Sequence, residues 1–305
     1  MRVLVIAHPG QIRDALEKQL SIRNRTYSCA GPEWIDREEL LPAALNCLPG
    51  GCVVVNALTL QQVAGMPAGE LIDQLATLTQ ACGQARVPLV HLSSSAVFDG
   101  LDAGVHRESE PAAPSSREGG VLLRAEELVA GMCSQSVVLR CGPMFSANGE
   151  NILADLLKAF KRGDQLELSD SGDSAPIHVS DMARVVSAML DQLSCGAEVW
   201  GTYHYCSADY VSHYQFAAQV LQVVRDVAPD WVGDLNLVAL EDLDDGWYCP
   251  LLNCEKILNT FGIKQLPWRA FVAPTIKKYF DPAANAGEPL LTQSIQSVRK
   301  ENFDG

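Results

Sequence analysis

Positive charge is scarce in this chain: 23 Lys and Arg stand against 37 Asp and Glu, a net charge of −14 over 305 residues. Proteins that track a nucleic-acid backbone concentrate Lys and Arg, so the balance argues against a nucleic-acid partner. An anionic ligand must then be held by backbone donors and a few chosen basic side chains, against the overall field. Long apolar runs are missing too. The opening run Val3–Ala7 is far too short for a signal peptide and no later run reaches membrane-spanning length, so the expectation is a cytoplasmic protein without membrane contact. Metal-ligand spacings are absent. The six His are dispersed and the ten Cys contain no CxxC. No metal is therefore expected, and the cysteines read as reduced thiols that pack as small hydrophobes. Finally, no Tyr occurs between Tyr27 and Tyr203.

What is present is a globular composition, 48% apolar and 20% charged, with a strong alternation of patterns. Val3–Ala7 and Cys52–Asn56 are continuous β-branched runs, as in parallel strands buried on both faces. Arg25–Ala30, Val87–Leu92, Ser136–Leu139 and Gly201–Tyr205 read as further strands. Between them lie helical stripes: Ile12, Leu16 and Leu20; a short helix over 37–46; Leu71, Leu75 and Leu78 within Glu70–Cys82; and Val121–Ala130. Such alternation predicts an α/β fold, a Rossmann-like doubly wound parallel sheet. Residues 101–118 interrupt it as a polar surface loop.

After residue 141 the rhythm becomes mostly helical. Helices are expected at Asn151–Phe160, at Asp181–Leu190 behind a Ser180 cap, after a Ser212 cap, at Cys254–Phe261 and at Trp268–Tyr279. The domain reading is a nucleotide-binding domain over 1–147, with 176–204 returning to it. A smaller, mostly helical substrate-type lobe takes 148–175 and 205–280, and 281–305 form a C-terminal tail.

The first strand runs into Ala7-His8-Pro9-Gly10-Gln11-Ile12-Arg13 and then a helix. A dinucleotide-binding protein places a glycine-rich turn here, so that backbone amides and the helix N-terminus meet a pyrophosphate. Only Gly10 fits the G-x-x-G-x-x-G spacing; Ala7 and Arg13 take the outer places, and Arg13 offers charge toward a phosphate. The same residues also read as a simple turn that holds no ligand. Glu33 and Asp36 follow the second strand, where an acid can hold an adenine-side ribose and favour NAD. They equally suit the opening of a helix.

His91-Leu92-Ser93-Ser94-Ser95-Ala96-Val97-Phe98-Asp99-Gly100 resembles the S-T/S-D-Y-V-F-D-G segment of the extended short-chain dehydrogenase/reductase superfamily. More narrowly it resembles the dTDP-4-dehydrorhamnose reductase (RmlD-like) family, including the regulatory beta subunit of methionine adenosyltransferase. Gly10-Gln11, Val53–Ala57, Glu108–Pro114, Leu139-Arg140, the drifted Asp170–Pro176 loop, Gly201–His204 and the helix start at 212–217 agree in order and spacing. The resemblance covers residues 1 to about 280. It implies NADP or NAD held by the turn residues with Asn56, Ala57, Leu58 and Ser93. It further implies a nucleotide-sugar or other nucleotide ligand near Ser95, Ala96, Met144, Phe145, Asn151, His178 and Trp247. In place of the family's R-P-x-x-S segment stand Trp247, Tyr248 and Pro250.

The family's catalytic pattern is Y-G-x-x-K-L-x-G-E, in which Tyr donates a proton to the carbonyl and Lys tunes it. Here the stretch reads Glu118-Gly119-Gly120-Val121-Leu122-Leu123-Arg124-Ala125-Glu126. Glu118 stands at the Tyr position and Leu122 at the Lys position, while Ser94 matches the hydroxyl residue. Leucine relays no proton, and an ionised Glu would repel the developing oxyanion. Conventional ketone reduction is not expected. The reading is a degenerate member that binds NAD(P)(H) or another nucleotide in a regulatory or scaffolding role, as a homodimer or with a protein partner. The alternative is an NADPH-dependent reductase or other nucleotide-sugar enzyme with non-standard catalytic residues, Ser94 and Glu118.

Overall fold

A computed structural model describes residues 1–35, 51–58, 68–99, 104–163, 165–233, 235–241 and 243–281. Asp36, the helix expected over 37–46 and the tail beyond Asp281 lie outside the described residues. The six expected strands form one all-parallel sheet. They are β1 (Arg2–Ile6), β2 (Tyr27–Ala30), β3 (Cys52–Asn56), β4 (Leu89–Ser94), β6 (Ser136–Cys141) and β10 (Gly201–Tyr205). Their spatial order is β2-β1-β3-β4-β6-β10. The chain leaves β1 toward one edge and returns on its other side at β3. That reversal opens a crevice at the carboxyl ends of β1 and β3, where open α/β sheets take their ligands.

Each face of the sheet is covered. Helices α1 (Gln11–Ile22) and α5 (Val179–Ser194) bury Ile12, Leu16, Leu20, Val185 and Met189 against Val3, Val5, Val53, Val55 and Leu139. On the other face α2 (Ala68–Ala85) and α3 (Arg117–Met132) bury Leu71, Leu75, Leu78, Ala125 and Val129 against Leu4, Ile6, Val54 and Val138. Alternate strand residues thus serve opposite cores, which is why the strands are apolar without interruption. Each fully buried Val or Leu contributes about 1.5–3 kcal/mol of transfer free energy.

The second lobe has its own core. Helices α4 (Ile152–Arg162), α6 (His213–Val227) and α8 (Arg269–Phe280) supply Leu153, Leu157, Phe160, Phe216, Val220, Val224, Val272 and Ile276 around Trp268. Strands β8 (Leu166–Ser169) and β11 (Leu237–Leu240) pair in parallel at its edge. Helix α7 (Glu255–Phe261) packs elsewhere: Ile257 and Phe261 join the first core with Leu251, Leu252 and Cys254.

The structure revises several local expectations. Residues 101–118 are more than a loop, since β5 (Val105–His106) pairs with β12 (Leu251–Leu252) and α3 begins at Arg117. Strand β7 (Met144–Phe145) likewise pairs with β9 (Ile177–His178). Two-residue strands carry too little periodicity to be read from sequence. Helix α5 is capped by His178, whose ring accepts from Ser180 N, and not by Ser180. An imidazole does there what the hydroxyl was expected to do. Among the described residues no helix is long and apolar enough to cross a membrane.

Candidate functional site

The segments that follow β1, β2, β3 and β4 carry the candidate residues, and β1 comes first. Gly10 holds φ +145° between β1 and α1, a conformation that L side chains rarely adopt, and no side chain caps the helix start. The opening amides of α1 and its positive dipole end therefore remain for an anion. The turn's neighbours are already committed. Arg13 Nε donates to Glu17 at 2.7 Å, one turn further along α1, so the guanidinium is ion-paired there. The Gln11 side chain reaches the second lobe. Its Oε1 accepts from Ser146 Oγ and from Asn151 Nδ2 at 3.3 Å, and its Nε2 donates to Glu150 O at 3.3 Å. At the end of β2 the Glu33 carboxylate lies against Gly31, where a Cβ would come within 2.2 Å of Glu33 Oε2. Burial lowers the His8 pKa, and the nearby Glu33 charge works in the opposite direction.

At the end of β3, Asn56 is fully buried. Its Nδ2 lies 3.0 Å from His91 Nδ1 on β4, and its Oδ1 accepts from Leu58 N at 3.2 Å. With Nδ1 as acceptor the His91 proton sits on Nε2. Burial alone pushes the His91 pKa down to about 4. Ala57 and Leu58 are buried, and Ala57 N donates to Ile6 O at 2.9 Å. The backbone of this segment is thus fixed tightly to β1.

The three serines that end β4 point to three partners. Ser93 Oγ donates to Glu126 Oε1 at 2.5 Å. Ser94 Oγ accepts from Ala96 N at 3.2 Å and caps a short 3-10 turn over Ser95–Phe98. Ser95 Oγ lies 3.4 Å from the Cys249 sulfur. Behind Ser93 is a buried polar array. Arg140 donates from Nε to both Glu126 oxygens at 3.0 Å and from NH2 to Oε2 at 2.6 Å. Its other amino group lies 3.4 Å from His204 Nε2. Burial first, then the Arg140 charge, hold His204 down to about 3.

Helix α3 approaches the same place. Ser116 caps it, accepting from Gly119 N at 2.9 Å. Asp99 accepts from Ser116 N at 3.2 Å and from the Ser115 amide and hydroxyl. Burial works to raise the Asp99 pKa, but these donors outweigh it and hold the carboxyl below its usual range. A Cβ on Gly119 would stand 2.4 Å from Ala96 O and 2.7 Å from Pro114 Cβ. This near-contact sets the first turn of α3 directly on the Ser94–Ala96 turn. Glu118 is exposed on that first turn, where an acid offsets the helix dipole. Leu122, one turn on, is 3% exposed inside the first core.

The second-lobe candidates fall into two groups. Asn151 caps α4, accepting from Leu153 N and Ala154 N, and its amide reaches Gln11. Met144 is half-buried in β7, packed against the first core. His178, Phe145 and Trp247 serve the interior instead. His178 stacks on Phe271 at 5.2 Å and meets Phe145 edge-on, and burial lowers its pKa to about 4. Phe145 is fully buried. The Trp247 indole donates to Val211 O at 2.9 Å and its ring stacks on His213 at 4.4 Å. Cys249, which the sequence reading passed over, is the residue of that segment that reaches Ser95. Its direct precedence of Pro250, the one matching residue of R-P-x-x-S, was the available signal. Burial raises its thiol, opposed by the Ser95 hydrogen bond.

Sheet order, glycine turn and abutting α3 are the plan of the extended short-chain dehydrogenase/reductase superfamily. Within it, residues 1–280 match the RmlD substrate binding domain, and the chain belongs to that family. It is similar to the dTDP-4-dehydrorhamnose reductase of Burkholderia thailandensis, 26% identical over 297 residues, covering 91% of this chain and 98% of that one. Among solved structures, dTDP-4-dehydrorhamnose reductase of Clostridium acetobutylicum superposes with a TM-score of 0.73 at 20% identity, over 93% of this chain and 100% of that one. The Bacillus anthracis dTDP-4-dehydrorhamnose reductase in complex with NADP gives 0.72 at 16% identity, over 92% and 98%. Family membership supports a nucleotide-cofactor site in general. The uncapped α1 start behind Gly10 suits a pyrophosphate, and Glu33 beyond β2 suits a ribose diol. Among the described residues no group of three or more His, Cys, Asp or Glu could hold a metal ion.

Proposed function

We propose that this protein binds a nicotinamide dinucleotide, or another nucleotide-type ligand, and acts as a regulatory or scaffolding member of its family rather than as a conventional ketone reductase. The observation that carries the reading is Leu122. The resemblance puts it at the family's Lys position, and it is a buried core residue, 3% exposed, with no ionisable group to tune a proton donor. Glu118, which the resemblance puts at the Tyr position, is exposed on the first turn of α3. When bound, a nicotinamide supplies hydride exchange. On the protein side, Gly10, Gln11 and Ile12 would present backbone donors, Glu33 would accept from a ribose hydroxyl, and Asn56–Leu58 would form the floor. Arg13 is paired through Nε with Glu17.

One observation favours the alternative, a nucleotide-sugar enzyme with altered residues. Gly119 still presses the α3 start onto the Ala96 backbone, so the turn that carries Glu118 abuts the turn that Ser94 caps. The relatives' names point to dTDP-sugar chemistry.

Titration calorimetry with NADPH, NADP, NADH and NAD separately tests the proposal. The expected result is binding of at least one dinucleotide at micromolar concentration, weakened about tenfold or more in Gly10→Ala. NADPH is not expected to be oxidised in the presence of a 4-keto dTDP-sugar. Turnover that disappears in Glu118→Gln would establish the alternative. No binding at millimolar ligand by folded protein would overturn both readings.

A further inference from the structure

We infer that Cys206 and Cys254 form an oxidisable dithiol, a modification site that closes as a reversible disulfide between the end of the sheet and the start of α7. The two sulfurs lie 3.8 Å apart, although 48 positions separate them in the chain. Cys206 directly follows β10, and Cys254 is the N-cap residue of α7. Leu252 O lies within reach of both thiols as an alternative acceptor, at 3.4 Å from the Cys206 sulfur and 3.6 Å from the Cys254 sulfur. A disulfide needs the sulfurs at about 2.05 Å, so closure asks for a movement of under ~2 Å.

The surroundings assign different roles to the two sulfurs. Gln265 Nε2 donates to the Cys206 sulfur at 3.5 Å and to its carbonyl at 3.0 Å. The Cys254 thiol hydrogen bond holds Cys206 below its ordinary thiol value, and the same bond pushes Cys254 up. Cys206 is therefore the nucleophile and Cys254 the resolving thiol. Exposure selects the oxidant. Cys206 is 1% and Cys254 7% exposed, which bars a glutathione-sized disulfide and leaves hydrogen peroxide, a molecule near the size of water, as the oxidant of the inference. The Cys206 thiolate attacks one oxygen of hydrogen peroxide, the O–O bond breaks, and the leaving hydroxide takes a proton to become water. Cys254 sulfur then displaces the hydroxyl from the sulfenic acid, its own proton leaving with a second water. Two thiols are oxidised by two electrons, and one peroxide becomes two waters.

The full-length reduced protein is treated with hydrogen peroxide, quenched with an alkylating agent, digested and analysed by mass spectrometry. The expected product joins the Cys206 and Cys254 peptides, disappears on reduction by dithiothreitol, and raises Tm by about 5–10 °C. Both effects should be absent in Cys254→Ser and retained in Cys195→Ser, which removes an exposed thiol. Recovery of Cys206 and Cys254 as free thiols, under treatment that oxidises Cys195, would overturn the inference. So would a Cys206 crosslink to Cys249. The crosslink is read in the wild-type chain, so the test stands even where a variant folds poorly.

Discussion

Two adjacent glycines in α3 should respond in opposite directions to the same substitution. At Gly119 an added methyl would sit 2.4 Å from Ala96 O, about 1.0 Å inside the 3.4 Å of ordinary contact, and 2.7 Å from Pro114 Cβ. Neither neighbour is the tip of a flexible side chain, so α3 or the Ser95–Phe98 turn must move. Overpacking of this kind costs about 1–3 kcal/mol, against which the better helix propensity of Ala returns up to about 1 kcal/mol. Gly119→Ala should thus lose about 1–2 kcal/mol. At Gly120 nothing lies within 4 Å of the added methyl. Only the propensity term remains, so Gly120→Ala should gain up to about 1 kcal/mol. Urea unfolding at constant m-value measures both, and the gap should equal the overpacking cost, about 1–3 kcal/mol. Equal shifts of one sign would refute the close approach of α3 to Ala96, and with it the packing of the α3 start on the turn that Ser94 caps.

The buried His91 gives the stability a pH dependence. Its folded pKa of about 4 lies below the ordinary 6.5, so the unfolded chain binds the proton first. Stability is full above pH 6.5 and falls as pH drops toward 4, by about 3 kcal/mol from this group at the lower end. Urea midpoints from pH 7 to 4.5 should show that slope, and His91→Gln should flatten it; an unchanged slope would contradict the burial argument. Glu126→Ala strips Arg140 of its bidentate partner at a site where both side chains are under 10% exposed. A loss of about 3–5 kcal/mol is expected by thermal or urea unfolding, and a loss below about 1 kcal/mol would place the pair in solvent.

The sheet was readable chiefly because β1 and β3 are Val- and Ile-rich runs buried on both faces, a pattern that side-chain burial imposes directly. Register and hydrogen-bonded pairs were not readable. The partnership of Ser93 with Glu126, of Gln11 with Ser146 and Asn151, and of Ser95 with Cys249 each spans a long stretch of sequence. No local pattern encodes such meetings. The same limit explains Arg13, which by position faces a phosphate turn but finds Glu17 one helical turn away. His178 and Trp247 were read as ligand contacts from the resemblance, and their stacking on Phe271 and His213 is a further pairing that no local pattern encodes. Leu122 and Glu118 were legible as identities, and the structure adds their burial and exposure.

Ser93, Arg140 and His204 stand side by side on β4, β6 and β10, in direct register with one another. All three project to the α3 face, where Glu126 waits for the arginine. Sliding β6 by one residue would turn Arg140 toward α1 and α5, among Val137, Leu139, Cys141 and Tyr203. No carboxylate of the present pairing would follow it there, and an unpaired guanidinium in apolar surroundings is among the costliest errors a sheet can make. The arginine therefore works as a check on strand register: a misaligned pairing is penalised by the loss of its carboxylate.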